Sequence, residues 1–171
     1  LCCYGPGSPR IHSTTGGNAM ITTRGIDFLP AQELDIQQRA RKKDPNFVLS
    51  KIFPEYFQFI IGQDGFKIII VNVEWVNNNL SVIFGHGGHG FAHEFIPLDE
   101  IWIADRHPVN CLCKNVGPDR KMSEEFSGRT VKHEIDEFWD MAKGIIYEVA
   151  HKNALDNERK RGVLNPYAEV E

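Results

Sequence analysis

The stretch from Ser123 to Arg161, SEEFSGRTVKHEIDEFWDMAKGIIYEVAHKNALDNERKR, has apolar residues at helical spacing and starts on a residue that commonly caps helices. Before it, from Ile52 to Ile103, β-branched and aromatic runs alternate with turn residues, which is typical of strands. We therefore predict an α+β fold in which an antiparallel β-meander is followed by C-terminal helices. Because glycine commonly ends a helix, we predict that these helices form a hairpin bent near Gly144.

The rest of the chain suggests a single domain. Its 171 residues are 42% apolar and 25% charged, which suits one compact unit. Residues 1–19 are rich in Gly, Pro, Ser and Thr and lack the charged start and apolar centre of a signal peptide. We expect them to be a flexible leader outside a single α+β domain of residues 20–171. Within that domain, acidic residues early and basic residues late predict a further helix over Leu29–Asp44.

Charge, hydropathy and cysteine content exclude several classes of protein. Lys and Arg total 19 against 23 for Asp and Glu, so the net charge of −4 gives no basic field for nucleic acid. The longest apolar runs are far shorter than the roughly 20 residues that span a bilayer. The four cysteines form two tight pairs that match neither a zinc ribbon nor a disulfide framework. We expect a cytoplasmic protein that binds neither membrane nor nucleic acid, with a homo-oligomer or protein partner left open.

A glycine-rich block, GHGGHG at Gly85–Gly90, follows a predicted strand and matches the letters of a dinucleotide-binding fingerprint. That fingerprint must open a helix, whereas the sequence from Phe91 is extended in character and soon reaches Pro97. We therefore reject nucleotide binding. The block and its continuation carry three of the chain's seven histidines: His86, His89 and His93. They are either candidate metal ligands, His89 above all, or exposed spacers in a glycine turn.

The predicted helix contains the pattern HExxE at residues 133–137. His133 and Glu137 are four residues apart and share a helix face, so both can bind one metal ion. Glu134 can accept a proton from metal-bound water, as the glutamate of HExxH hydrolases does. The second ligand position holds Glu137 rather than histidine, which argues against the chemistry of a typical metalloprotease.

The helical wheel places His133 and Glu137 nearly opposite the predicted buried stripe, so they lie on a solvated face unless another element covers it. A straight helix would separate His133 from His151 by roughly 27 Å. A bend at Gly144 instead brings His151 beside Glu137. We thus predict metal ligation by His133, Glu137 and either His151 or His89, with Glu134 as general base. The predicted buried stripe consists of Val131, Ile135, Phe138, Trp139 and Ala142.

Cys111 and Cys113 offer further soft ligands or a nucleophile. No neighbouring basic group assigns them either role, and packed thiols are the simpler interpretation.

Several short motifs in combination resemble a family of small uncharacterised proteins from phages, mobile elements and environmental sequences. The resemblance covers residues 66–161. Relatives often have HELHE at the helix motif, so Asp136 stands where a second histidine is common. The resemblance implies an origin and a shared site pattern but no reaction. The motifs are GGH at 87–89, FIPLDEIWI at 95–103, HEIDE at 133–137, MAKG at 141–144, Tyr147, AH at 150–151, Ala154 and Glu158.

Three hypotheses for function remain open. The first is a hydrolase that uses zinc or another divalent metal. The second is a non-enzymatic accessory protein that acts through protein contacts, with Trp75, Trp102 and Trp139 either in the core or at an interface. The third is a protein with a structural metal ion whose coordination positions are all closed.

Overall fold

The computed structural model describes residues 48–169. It confirms the α+β class and the C-terminal helices, while the predicted leader and the predicted Leu29–Asp44 helix lie outside the described residues. The elements in chain order are α1 (Leu49–Ile52), a 3₁₀ helix (Pro54–Tyr56), β1 (Phe57–Gln63), β2 (Phe66–Val71), α2 (Val73–Asn79), β3 (Gly87–His89), β4 (Glu100–Ala104), α3 (Glu124–Ala142) and α4 (Tyr147–Lys160).

The four strands form one mixed sheet in the order β1-β2-β4-β3. β1 and β2 form an antiparallel hairpin, and β3 pairs antiparallel with β4. β2 and β4 are parallel, with Ile69 opposite Trp102, so the prediction of a purely antiparallel meander is wrong. The apolar run after β2 leaves the sheet because Asn72 caps a helix there, its side chain accepting a hydrogen bond from the Trp75 backbone N–H at 2.9 Å.

The core lies on both faces of the sheet. Successive side chains of a strand point to opposite faces, and all five residues of β4 are buried. On one face Phe66 packs edge-on against Phe138 of α3, with ring centroids 4.7 Å apart. On the other, the fully buried Trp102 contacts Phe57 and Phe95. Each such buried apolar side chain contributes about 1.5–3 kcal/mol to stability. The contact between Phe66 and Phe138 holds α3 against the sheet.

The helix break predicted near Gly144 is confirmed. The Gly144 N–H donates to the Met141 carbonyl at 3.0 Å, and the Ile145 N–H donates to the Asp140 carbonyl at 3.1 Å. Gly144 has a φ of +95°, as this helix-ending motif requires. Ser123 caps the other end of α3, accepting from the Phe126 N–H at 3.0 Å. The chain therefore folds back and packs α4 along α3.

The buried stripe of α3 differs from the prediction at two positions. Val131, Ile135 and Phe138 are buried, but Trp139 is 50% exposed and Ala142 is only half-buried. The cause is α4, which covers the face that carries His133 and Glu137 and so turns the buried arc of α3 toward them.

Among residues 48–169, no helix has the combination of length and apolar character that crossing a bilayer demands.

Candidate metal centre

The five predicted site residues lie together between β3, α3 and α4, and we call them the His–Glu cluster. His89 ends β3, His151 lies in the second turn of α4, and the other three are on α3. The side chain of His89 is fully buried, those of His133 and Glu137 are 2% exposed, and that of His151 is 16% exposed. The members are His89, His133, Glu134, Glu137 and His151.

Three potential ligand atoms form a tight triangle in this cluster. His133 Nε2 lies 3.0 Å from His151 Nδ1, which lies 2.9 Å from Glu137 Oε2. The third side, from His133 Nε2 to Glu137 Oε2, is 3.5 Å. Ligands bound to zinc at 2.0–2.2 Å in a tetrahedron are about 3.3–3.6 Å apart. The circle through the three atoms has a radius of about 1.8 Å, so His133, Glu137 and His151 could hold one zinc-sized ion at bonding distance.

No single arrangement of ring protons makes every side of this triangle a separate hydrogen bond. A ring nitrogen carries at most one proton, and an ionised carboxylate oxygen has none to donate. If His151 Nδ1 donates its proton to Glu137, His151 has no second proton at Nδ1 to donate to His133 Nε2. If His133 Nε2 donates to His151 instead, the 2.9 Å contact between His151 and Glu137 brings two lone pairs together. A cation inside the triangle satisfies all three atoms at once. These buried His and Glu groups could hold a metal ion.

His89 binds the other oxygen of Glu137, with Nε2 and Oε1 3.0 Å apart. The Phe91 backbone N–H donates to His89 Nδ1 at 3.2 Å, so Nδ1 is the acceptor nitrogen of the neutral ring. Nε2 then carries the proton and donates it to Glu137. In this tautomer His89 orients the carboxylate, as the hydrogen-bonding partners of metal ligands do.

Glu134 lies beside this carboxylate, within 4.8 Å of ligand atoms of both His89 and Glu137. Burial raises the pKa of Glu134 above its ordinary value, and the neighbouring charge of Glu137 adds to the rise. For Glu137 burial opposes ionisation, but hydrogen bonds from His133, His151 and His89 outweigh it and hold its pKa well below the ordinary value. The cluster therefore pairs an ionised carboxylate with one that readily holds a proton.

Gly87 explains why strand β3 comes so close to these groups. A Cβ atom at this position would lie 2.8 Å from Thr130 Cγ2 and 2.9 Å from Glu134 Cγ. Only a glycine lets the strand backbone pack directly on this face of α3. The block's glycines thus serve close packing.

The hypothesis that the block's histidines are exposed spacers is wrong. His86 and His89 are fully buried, and His93 is 4% exposed. The ring of His93 packs between Phe84 and Phe95 in the core, at centroid distances of 5.4 and 5.1 Å, away from the cluster.

Two residues of α4 that were not predicted as site residues, Tyr147 and Glu158, contact the cluster. Glu158 Oε2 lies 3.4 Å from His133 Nδ1, the nitrogen that faces away from the triangle. The ring of Tyr147 stacks on His151 at 5.5 Å, and its hydroxyl lies 3.3 Å from His151 Nδ1. Both residues share a helix face with His151, at spacings of four and seven. This periodicity is the signal that identifies them.

The description of this site comes from the geometry of this chain alone. Comparisons with protein-family models, with curated proteins and with solved structures found no match to this chain.

Proposed function

We propose that the protein is a divalent-metal-dependent hydrolase. In this proposal His133, Glu137 and His151 bind a zinc-type ion, a water molecule takes the fourth position, and Glu134 is the general base. The observation that carries the proposal is the triangle of 2.9, 3.0 and 3.5 Å between ligand atoms, formed beside a buried glutamate.

The set of ligand atoms favours a catalytic metal site over a structural one. Two histidines and one carboxylate are a combination found in catalytic zinc sites, which keep a position open for water, whereas structural sites use four protein ligands. A metal ion lowers the pKa of its bound water to about 7. Glu134, buried beside Glu137, would take up the proton released from that water. His89 and Glu158 would hold the ligands Glu137 and His133 in orientation.

Access to the site is from the side of α4. His151 is the most exposed ligand, at 16% of its side chain, and Tyr147 beside it is half-buried. The remaining ligands are 2% exposed or less. A substrate would approach along this edge with a small or extended hydrolysable group.

The same burial supports a second candidate function, a non-enzymatic protein with a structural metal ion. Side chains of His133 and Glu137 that are 98% covered resemble the closed surroundings of structural sites. In that case the ion would clamp α3 to α4, and loss of metal would cost stability without any loss of turnover.

The deciding experiment combines metal analysis with two variants of the full chain. We expect Glu134→Gln to retain the ion of the His–Glu cluster and lose hydrolysis of a panel of chromogenic peptide, ester and phosphate substrates. His133→Ala is expected to lose that ion. The matched control is Glu125→Gln, an exposed position on the same helix, which should retain both properties.

The outcomes separate the candidates. A Glu134→Gln variant as active as wild type would overturn the role of Glu134. Metal bound in wild type with no turnover on the whole panel would favour the structural ion. Full metal content in His133→Ala would contradict the ligand assignment itself.

Origin, location and partners complete the proposal. The motif resemblance supports a phage or mobile-element origin, and the cysteine pattern supports a cytoplasmic protein. A homo-oligomer or protein partner is compatible with the exposed Trp139.

A further inference from the structure

A second group of side chains that could hold a metal ion lies outside the His–Glu cluster, and we call it the Cys–His cluster. It consists of His86, His107, Cys111 and Cys113, and one ligand atom from each lies within 4.8 Å of the others. His86 directly precedes β3, His107 follows β4, and both cysteines are in the loop beyond it. The two histidines are fully buried and the two cysteines are half-buried.

The nitrogen–sulfur distances in this cluster are close to those around one tetrahedral ion, and the nitrogen–nitrogen distance is shorter. His86 Nε2 lies 2.8 Å from His107 Nδ1, 3.3 Å from Cys111 Sγ and 3.7 Å from Cys113 Sγ. Cys111 Sγ lies 3.5 Å from His107 Nδ1. With zinc bonds of 2.3 Å to sulfur and 2.0–2.1 Å to nitrogen, a tetrahedral site separates nitrogen from sulfur by about 3.6 Å and nitrogen from nitrogen by about 3.3 Å. Separating the two imidazole nitrogens by about 0.5 Å more would bring their distance to the tetrahedral value.

The surroundings orient these groups as zinc ligands. Glu169 Oε1 lies 2.6 Å from His107 Nε2, so this nitrogen carries the proton and the lone pair of Nδ1 faces the cluster. A carboxylate behind a ligating histidine is a common feature of zinc sites. The Cys113 backbone N–H donates to Cys111 Sγ at 3.2 Å, which stabilises a thiolate there.

The cluster joins parts of the chain that are distant in sequence. Glu169 also accepts from the Ser123 N–H at 3.2 Å, at the start of α3. The Lys114 N–H donates to the Tyr167 carbonyl at 2.8 Å, and the Glu169 N–H donates to the Lys114 carbonyl at 3.1 Å. An ion held by the four ligands would therefore fix the irregular loop after β4, the start of α3 and the residues after α4 to one another.

We propose that His86, His107, Cys111 and Cys113 form a structural zinc site, distinct from the His–Glu cluster. Four protein ligands close the tetrahedron and leave no position for a substrate, which is the property of structural sites. Two thiolates balance the two positive charges of the ion, so the completed centre is neutral and suits its buried surroundings. The role of this site is to order the loop of residues 107–114.

Cobalt substitution of the full chain tests the proposal directly. Metal-depleted protein is titrated with Co²⁺, and a thiolate ligand gives an intense near-ultraviolet charge-transfer band that nitrogen and oxygen ligands do not give. We expect this band in wild type and its loss in the double variant Cys111→Ser with Cys113→Ser. The same change at Cys2 and Cys3 is the matched control and should retain the band.

This experiment tests the Cys–His cluster independently of the His–Glu cluster. The His133→Ala variant should keep the charge-transfer band, because His133 belongs to the His–Glu cluster and not to the Cys–His cluster. Zinc should also protect Cys111 and Cys113 from alkylation, as mapped by mass spectrometry, and a chelator should expose them. This second measurement on wild type decides the matter if the serine variant does not fold. Absence of the band in cobalt-loaded wild type, or equal alkylation with and without zinc, would overturn the proposal.

Discussion

His151 Nδ1 lies 2.9 Å from Glu137 Oε2, across fourteen residues of sequence. The helix reversal at Gly144 produces this contact, because it lays the second turn of α4 against the face of α3 that carries Glu137. The site therefore depends on a backbone feature that touches none of its ligands.

Replacing Gly144 with alanine tests that dependence. The left-handed φ of +95° disfavours any residue with a Cβ, although an added Cβ would meet no atom within 4 Å. We expect Gly144→Ala to lower the free energy of unfolding by about 1 kcal/mol and to weaken metal binding. Urea unfolding and a zinc titration measure the two effects. Gly128→Ala, at an exposed and unobstructed position within α3, should instead stabilise by about 0.4–1 kcal/mol. Equal effects of the two variants would contradict the argument.

Replacing Gly87 with alanine should disturb the general base. The added Cβ would lie 2.9 Å from Glu134 Cγ, so strand β3 or the Glu134 side chain must move. We expect a loss of about 1–3 kcal/mol in unfolding free energy, together with reduced turnover of any substrate found for the protein. Gly62→Ala on β1, where the nearest atom is 3.6 Å away, is the control and should change stability much less. Thermal unfolding of the two variants side by side makes the comparison.

The contact from Glu158 to His133 should influence metal affinity. A carboxylate beside the outer nitrogen of a ligating imidazole increases its basicity and fixes its orientation. We expect Glu158→Gln to weaken zinc binding at the His–Glu cluster by about 10-fold to 100-fold. Competition with a chromogenic chelator measures the affinity. Glu148→Gln, at an exposed position of the same helix, should bind zinc as wild type does. An unchanged affinity in Glu158→Gln would separate Glu158 from the site.

A buried carboxyl that belongs to neither cluster should affect the pH dependence of stability. Burial raises the pKa of Glu100 above 4.5, against the hydrogen bond that its carboxylate accepts from Trp102 Nε1 at 2.8 Å. The folded state thus binds this proton more tightly than the unfolded state. The resulting stabilisation is complete below about pH 4.5 and is lost as pH rises through the raised pKa.

Glu100→Gln removes that titration. We expect the variant to gain stability relative to wild type as pH increases above about 4.5, since it never buries a charge there. Urea unfolding at a series of pH values records the difference, with Glu55→Gln at an exposed position as control. A constant difference between Glu100→Gln and wild type across the series would show that Glu100 does not titrate differently on folding.

Local sequence signals predicted the part of the His–Glu cluster that lies on the helices α3 and α4. The spacing of His133 and Glu137, the glycine at 144 and the position of His151 follow from helix geometry, and the structure brings these residues together. Sheet pairing was harder to foresee, because Val73 and Val76 favour a strand while the Asn72 cap and packing make them helical. The exposure of Trp139 depends on where α4 lies, which the sequence of α3 does not encode.

The Cys–His cluster illustrates the same limit. Its four side chains come from the residue before β3 and from the segment that follows β4, and no fixed motif connects His86 to the cysteines 25 and 27 residues later. Only the pairing of β3 with β4 brings His86 near that loop, since the Ala104 N–H donates to the His86 carbonyl at 2.8 Å. Tertiary structure created the cluster from residues that look unrelated along the chain.

One carboxylate joins three elements of this fold. Glu137 of α3 accepts from His89 at the end of β3 through Oε1 and faces His151 of α4 through Oε2. Local opening of α4 would therefore withdraw a partner from the same group that anchors β3, and the helix hairpin and the edge strand β3 become one cooperative unit in hydrogen exchange. Backbone amides on β3 should accordingly gain protection when an ion binds at Glu137 between α3 and α4.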